Sequence, residues 1–101
     1  MSNADFLYRL IEIIKEKKES NPENSYTASL YQEGLNKISQ KVGEEAAEIL
    51  VASLAEDNQR LISEVSDLIY HLLILLEYKD INLDDVIDEL KKRDHTSLDK
   101  K

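Results

Sequence analysis

Two groups of acidic residues are the part of this sequence whose types and spacing could do chemistry. Glu44, Glu45 and Glu48 form a Glu-Glu-x-x-Glu group, and Glu64 and Asp67 form a Glu-x-x-Asp group further along the chain. Several carboxylates that meet at one point make an all-oxygen ligand set, which suits Mg²⁺ or Mn²⁺. Because a bound cation inverts the local charge, such a site could also receive a phosphorylated ligand.

The helical spacing of the first group places its members at different angles. At about 100° per residue, with Glu44 as zero, Glu48 lies near 40° and Glu45 near 100°, while an apolar stripe spans about 120° to 240°. We therefore expect Glu45 and Glu48 at the edge of the buried face and Glu44 further out. The stripe consists of Ile38, Val42, Ala46, Ile49 and Leu50.

The second group lies in the most apolar segment of the chain, where ionised side chains are costly unless they are paired or bind a cation. A short turn makes consecutive helices antiparallel, so the two acidic groups are expected to face each other across one groove. Any one of these carboxylates alone is more typical of a solvated helix face. The two pairs together favour a metal site.

Lys37 and Lys41 share the carboxylate face, at about 20° and 60° on the same wheel. They are predicted to contact phosphate oxygens, with a simple ion pair between Lys41 and Glu45 as the alternative. His71 follows Asp67 by one turn, and a hydrogen-bonded core position is favoured over a chemical role for it.

Other metal chemistries fit less well. A di-iron bundle needs a Glu-x-x-His pair, but Leu68 stands three residues before His71 and Lys92 three before His95. The Asp-rich loop centred on glycine that binds calcium is also missing from the sequence.

The elements that must position these residues are helices, since 101 residues contain only two Gly and one Pro. We predict an all-α domain of four to five helices over residues 1–95 and a polar, frayed tail over 96–101. A break is expected near Gly34, and Gly43 is expected to mark a close approach. The predicted helices cover about residues 4–19, 26–54 with that break, 59–78 with a cap at Asp57 or Asn58, and 83–93 with a cap at Asn82.

Charge and composition exclude several classes of function. Thirteen basic against 21 acidic residues give a net charge of −8, which disfavours extended nucleic-acid or membrane-surface binding. There is no cysteine to act as nucleophile or thiolate ligand. The uncharged run Leu68 to Leu76 is far shorter than the ~20 residues of a membrane helix, so a cytoplasmic protein is expected. Such a short helical chain is also expected to complete its bundle as a homodimer.

The acidic pattern resembles that of the phosphoribosyl-ATP pyrophosphatases of histidine biosynthesis, within the all-α MazG-like nucleotide pyrophosphohydrolases. The resemblance covers about residues 5–93. Besides the acidic groups, it includes Ser25-Tyr26-Thr27, Leu30-Tyr31, Gly34, Lys37-Ile38, Gln40-Lys41-Val42-Gly43 and Asp67-Leu68-Ile69-Tyr70-His71-Leu72-Leu73.

The resemblance implies a MazG-like bundle that hydrolyses phosphoribosyl-ATP to phosphoribosyl-AMP and pyrophosphate with Mg²⁺, or with Mn²⁺ in its place. It implies that Glu44 completes the metal shell or helps to activate water, and that Lys37 and Lys41 contact phosphates. It also implies a link, by fusion or as separate proteins, to phosphoribosyl-AMP cyclohydrolase. The implied metal ligands are Glu45, Glu48, Glu64 and Asp67.

Two other functions stay open at this point. A housekeeping nucleoside triphosphate pyrophosphohydrolase would use the same carboxylates with another base pocket, although the segment Ser25 to Tyr31 argues against it. A non-catalytic helical dimerisation module would use its acidic face only for solubility.

Overall fold

The computed structural model describes residues 2–99 of the chain, and the side chains of residues 2–93. Over this range the chain is helical and contains no strand, which confirms the predicted all-α fold. None of the helices described combines the length and the hydrophobicity that crossing a membrane would require. A short 3₁₀ turn at Asn3–Asp5 leads into α1 (Phe6–Lys18), α2 (Tyr26–Glu33), α3 (Leu35–Leu54), α4 (Asn58–Tyr78) and α5 (Leu83–Asp99).

Side-chain caps set the beginnings of three helices, because the first backbone N–H groups of a helix have no partner within it. The Ser25 hydroxyl accepts a hydrogen bond from the Ala28 N–H at 3.1 Å. Asp57 caps α4 in the same way through the Arg60 N–H. At α5, the Asn82 amide oxygen accepts from the Asp84 N–H at 2.9 Å. The predicted caps at Asp57 and Asn82 are confirmed.

The predicted break at Gly34 is confirmed, whereas the close approach expected at Gly43 is wrong for the single chain. Gly34 separates α2 from α3 with φ +94° and ψ −170°, a conformation that is essentially confined to glycine. Gly43 lies within α3, and a Cβ atom built there would meet no atom within 4 Å.

The core lies where α1 and α2 cross the antiparallel pair of α3 and α4. One or two side chains from each of these helices meet there, so burial of apolar surface ties all four together. Partly buried residues such as Leu10, Tyr31 and Leu76 surround this centre. The buried centre consists of Ile14, Leu30, Ile38, Leu73 and Ile74.

Two expectations about helix surfaces and ends are wrong. The last helix runs to Asp99 rather than to about Arg93, because nothing in its sequence before that point breaks a helix; the end of the predicted tail, residues 100–101, lies outside the described residues. Ala46 and Leu50, assigned to the buried stripe of α3, are exposed. Helix α3 packs mainly against α4, so its other side is left uncovered.

The two glycines form a matched pair for a stability test. Gly34→Ala is expected to lower the free energy of unfolding by about 1–3 kcal/mol, since alanine is strained at this backbone conformation. Gly43→Ala is expected to raise it by about 0.5–1 kcal/mol, because Gly43 occupies a helix interior with open space around it. Urea unfolding of both variants measures this. A destabilised Gly43→Ala would mean that another molecule approaches α3 at this point.

Candidate metal centre

Three of the predicted ligands come together in the groove between α3 and α4. Glu45 projects from α3, and Glu64 and Asp67 project from successive turns of α4. One carboxylate oxygen from each lies within 4.8 Å of the other two. The antiparallel pairing of two long helices therefore brings together residues that are about twenty positions apart in sequence.

Glu45 lies deeper than the sequence predicted. Its side chain is only 12% exposed, and the residues that share its side of α3 are Ile38, Val42 and Ile49. The helical wheel placed Glu45 at the edge of the buried face because it counted Ala46 and Leu50 as buried. In the folded chain the buried face is rotated toward Glu45, so that this carboxylate lies within it.

The environment of Glu64 makes ionisation of its carboxyl less favourable than in water. Partial loss of solvent raises the pKa of the Glu64 carboxyl, and the charge of Glu48, the hydrogen bond and charge of Glu45, and the charge of Asp67 raise it further. Like charges close together oppose ionisation in this way. A cation that binds here would relieve the repulsion.

Glu48, the fourth predicted ligand, is not part of this group of three. Its carboxylate lies 3.5 Å from the Arg60 guanidinium in an exposed ion pair. Glu48 is nevertheless close enough for its charge to act on Glu64. Its place among the ligands stays a prediction, and Arg60 is a competing partner that helical spacing alone could not reveal.

The remaining predicted residues line the rim of the groove. Lys41 contacts Glu44 at 3.3 Å and Glu45 at 4.0 Å, so the simple ion pair is present in the structure. Hydrogen bonds from Gln40 and Lys41 hold the pKa of Glu44 below its usual range, which keeps this carboxylate ionised. Lys37 is close enough for its charge to act on Glu44 as well.

His71 is a buried, hydrogen-bonded residue, as the favoured interpretation had it. Its Nδ1 lies 2.7 Å from the Asp67 carbonyl oxygen and its Nε2 lies 2.7 Å from the Tyr26 hydroxyl. The contact between Tyr26 and His71 was not predicted, because no periodicity links residues 45 positions apart. The only indication in the sequence was the segment Ser25-Tyr26-Thr27, which is part of the resemblance to the pyrophosphatases.

The donor set fits a small divalent cation. In an octahedral shell with oxygens about 2.0–2.1 Å from the ion, adjacent oxygens are about 3 Å apart and opposite ones about 4.2 Å apart. Three carboxylate oxygens within 4.8 Å of one another would need only a small contraction to reach these distances. Carboxylates without nitrogen or sulfur ligands suit magnesium or manganese.

Glu64→Gln is expected to raise the melting temperature of the ion-free protein at neutral pH. Because folding raises the pKa of Glu64, the folded chain holds this proton more tightly, and ion-free stability falls as the pH rises through that pKa. Because glutamine does not titrate, the stability of the variant falls less as the pH rises. Thermal melts in EDTA from about pH 4 to 8, the range in which a carboxyl with a raised pKa titrates, measure the difference.

The same variant should lose the stabilisation that Mn²⁺ gives to the wild-type chain, since one of its ligands is gone. Glu89→Gln is the matched control, because Glu89 is an exposed glutamate on α5 that pairs with Arg93. An identical pH dependence in Glu64→Gln and the wild type would contradict the assigned environment of Glu64.

Comparison with known proteins relates the chain to one family. The family model described as phosphoribosyl-ATP pyrophosphohydrolase matches residues 7–94. The phosphoribosyl-ATP pyrophosphatase of Metallosphaera sedula is 52% identical over 90 residues, covering 89% of this chain and 97% of the relative. That of Clostridium acetobutylicum is 43% identical over 101 residues, covering all of this chain and 92% of the relative.

A second kind of relative is about twice as long. The histidine biosynthesis bifunctional protein HisIE of Buchnera aphidicola from Acyrthosiphon pisum is 52% identical over 96 residues. The match takes in 95% of this chain but only 45% of the bifunctional protein. The family model and the two full-length relatives confirm the resemblance found in the sequence: this chain belongs to the phosphoribosyl-ATP pyrophosphohydrolase family.

Proposed function

We propose that the chain hydrolyses phosphoribosyl-ATP between its α and β phosphates, giving phosphoribosyl-AMP and pyrophosphate, the second step of histidine biosynthesis. The observation that carries this proposal is the group of three carboxylates from Glu45, Glu64 and Asp67. Such a group gives an acidic chain a means of binding a polyphosphate, because a cation held there attracts phosphate oxygens. Relatives that carry the pyrophosphatase name over almost their whole length support the choice of substrate.

Mg²⁺ is the proposed ion, with Mn²⁺ as a substitute. Glu45, Glu64 and Asp67 would hold it, and Glu48 would join them by exchanging its exposed pair with Arg60 for the cation. When bound, the ion would supply an acidified water and offset the negative charge of the phosphates. Because exposed ion pairs contribute little, the exchange at Glu48 costs at most about 1 kcal/mol.

The other residues of the rim have roles that follow from their charge. Glu44 is kept ionised by Gln40 and Lys41, so it can accept a hydrogen bond from the attacking water and orient it. Lys41, whose Nζ already lies between two carboxylates, can turn toward a phosphate oxygen. Lys37 adds a second positive charge on the same side of the helix.

The active protein is proposed to be a homodimer. Helices α3 and α4 leave a wide apolar surface exposed, in which Leu54 is 77% and Ile62 is 58% exposed. Monomeric soluble proteins rarely expose such a continuous surface. A second copy of the same face would cover it and form a bundle from two chains. The surface comprises Leu50, Val51, Leu54, Ile62, Val65, Ile69 and Leu72.

A link to phosphoribosyl-AMP cyclohydrolase is the remaining part of the proposal. The Buchnera relative is bifunctional by name, and the matched part is less than half of it. We infer that the product of this chain is passed to a cyclohydrolase, whether the two activities share one polypeptide or act as separate proteins.

Pyrophosphate release tests the reaction directly. The protein is incubated with phosphoribosyl-ATP or with each common nucleoside triphosphate, with Mg²⁺ or with EDTA. We expect release that depends on Mg²⁺ and is strongest for phosphoribosyl-ATP. A preference for ordinary triphosphates would point to a housekeeping enzyme, and no release from any nucleotide would leave only a dimerisation role.

Asp67→Asn and Glu48→Gln should each lower turnover by orders of magnitude while the fold stays intact, because loss of a negative charge also reduces repulsion in the groove. Magnesium at about 100 times its Kd should add about 2.7 kcal/mol to wild-type stability and raise its Tm by about 10 °C or more. The Asp67 variant should show a much smaller rise. Normal turnover in Glu48→Gln would remove Glu48 from the ligand set.

Leu50→Glu combined with Ile62→Glu should convert the dimer to a monomer, since two charges would be buried at the proposed interface without partners. Sedimentation velocity measures the change. Phe6→Glu is the control, because Phe6 is about as exposed as these residues but lies on α1. A wild-type chain that sediments as a monomer at micromolar concentration would contradict the dimer.

A further inference from the structure

A small polar cluster connects the first turn of α2 to the middle of α4. The Tyr26 hydroxyl lies 2.7 Å from His71 Nε2, and the Thr27 hydroxyl lies 2.5 Å from the Tyr70 hydroxyl. Thr27 and His71 are the buried polar side chains of the described residues, at 3% and 5% exposure. Burying polar groups has a cost that their hydrogen bonds offset, and both of these side chains have such partners.

The hydrogen-bond directions in this cluster follow from its chemistry. The Asp67 carbonyl oxygen can only accept, so His71 must carry its proton on Nδ1 and donate there. In the neutral imidazole Nε2 then bears a lone pair, and the Tyr26 hydroxyl donates to it. The result is a chain of two hydrogen bonds that runs from Tyr26 through His71 to the backbone of Asp67.

This series of hydrogen bonds ends at the backbone carbonyl oxygen of Asp67, one turn before His71 on α4. Asp67 is one of the three residues whose oxygens converge. Burial raises the pKa of Tyr26, the Lys41 charge opposes that rise, and the charges of Glu45, Glu44 and Asp67 add to it. The hydroxyl thus lies within electrostatic range of the groove while its proton is directed inward to His71.

The ring of Tyr26 is arranged in an unusual way. Tyrosine commonly buries its ring and leaves its hydroxyl in contact with water. Here the residue is 51% exposed, yet its hydroxyl is bound to a buried histidine. In this arrangement the hydrogen bond fixes the position of the Tyr26 hydroxyl, while the ring fills little of the core.

We propose that Tyr26 and His71 are positioning residues of the carboxylate site. They hold the beginning of α2 against the part of α4 that carries Asp67, and they fix the position of the Tyr26 oxygen. The inference rests on the proposed function, since it assigns these residues to the metal and phosphate site. It goes beyond that function by extending the site to a third helix.

The same pair of helices supplies a matched control. Tyr31, on α2, donates a hydrogen bond from its hydroxyl to the Ile74 carbonyl oxygen of α4 at 2.9 Å. Its ring stacks on Tyr78, and the Lys18 ammonium lies 5.1 Å from the ring centre. Tyr31→Phe therefore removes a comparable tie between α2 and α4 without touching the carboxylate end.

The test compares Tyr26→Phe and Tyr31→Phe for Tm, for Mn²⁺ binding without substrate, and for kcat and KM. Both variants should lose a few degrees of Tm, since each loses one hydrogen bond. Only Tyr26→Phe should bind Mn²⁺ about 10-fold more weakly and show a similar fall in kcat, as is typical when the groups that orient metal ligands are removed. Tyr31→Phe should stay within about twofold of the wild type in Mn²⁺ affinity and kcat, because its hydrogen bond is remote from the ligands.

A double variant tests whether the two residues act together. If they form one unit, Tyr26→Phe with His71→Leu should lose no more Mn²⁺ affinity than His71→Leu alone. Additive losses would overturn the connection between them. If His71→Leu does not fold, the comparison of the two tyrosines still decides the question.

The outcomes separate this inference from the proposed function. Wild-type Mn²⁺ affinity and kcat in Tyr26→Phe, or equal losses in both tyrosine variants, would reduce the cluster to a structural tie and leave the proposed function untouched. A wild-type chain that binds no Mn²⁺ and releases no pyrophosphate would overturn the proposed function, and the positioning role with it.

Discussion

The candidate site requires the fold to hold several carboxylates close together although they repel one another. Glu45, Glu64 and Asp67 come within 4.8 Å because α3 and α4 pack side by side. Partial loss of solvent and the neighbouring carboxylates raise the pKa of Glu64 there. In the absence of a cation, the repulsion among these carboxylates opposes folding. The stability that keeps the ligands in place must therefore come from elsewhere in the chain.

That stability comes from the small core, which adjoins the groove: Ile38 lies on the same side of α3 as Glu45. Ile38 of α3 and Leu73 and Ile74 of α4 are buried against α1 and α2, so the same two helices carry apolar side chains on one side and ligands beside them. Helix α2 joins this arrangement through its first turn. The Gly34 conformation ends α2 and begins α3 at once, which fixes the direction of both helices relative to the groove.

The parts of the fold that depend on local chemistry could be predicted from the sequence. Caps at Asp57 and Asn82, the break at Gly34 and the convergence of Glu45 with Glu64 and Asp67 all follow from spacing and residue type. The ion pair of Glu48 with Arg60 could not be predicted, because spacing along α3 does not show which side chains near the start of α4 lie within reach of Glu48. The contact of Tyr26 with His71 is likewise invisible, since it depends on how α2 docks across 45 residues of sequence.

The exposed apolar surface and the carboxylate groove belong to the same pair of helices, and this has a consequence for how the site is controlled. On α4, Glu64 lies beside Val65, and both Val65 and Ile69 are exposed. A molecule that covers this apolar surface also removes water from the exposed faces of α3 and α4, the two helices that carry the ligands. Because the core of the single chain is small, the relative position of α3 and α4 is then set partly by the covering molecule. The proposed dimerisation and the geometry of the carboxylate site are therefore expected to depend on each other, because both depend on how α3 packs against α4.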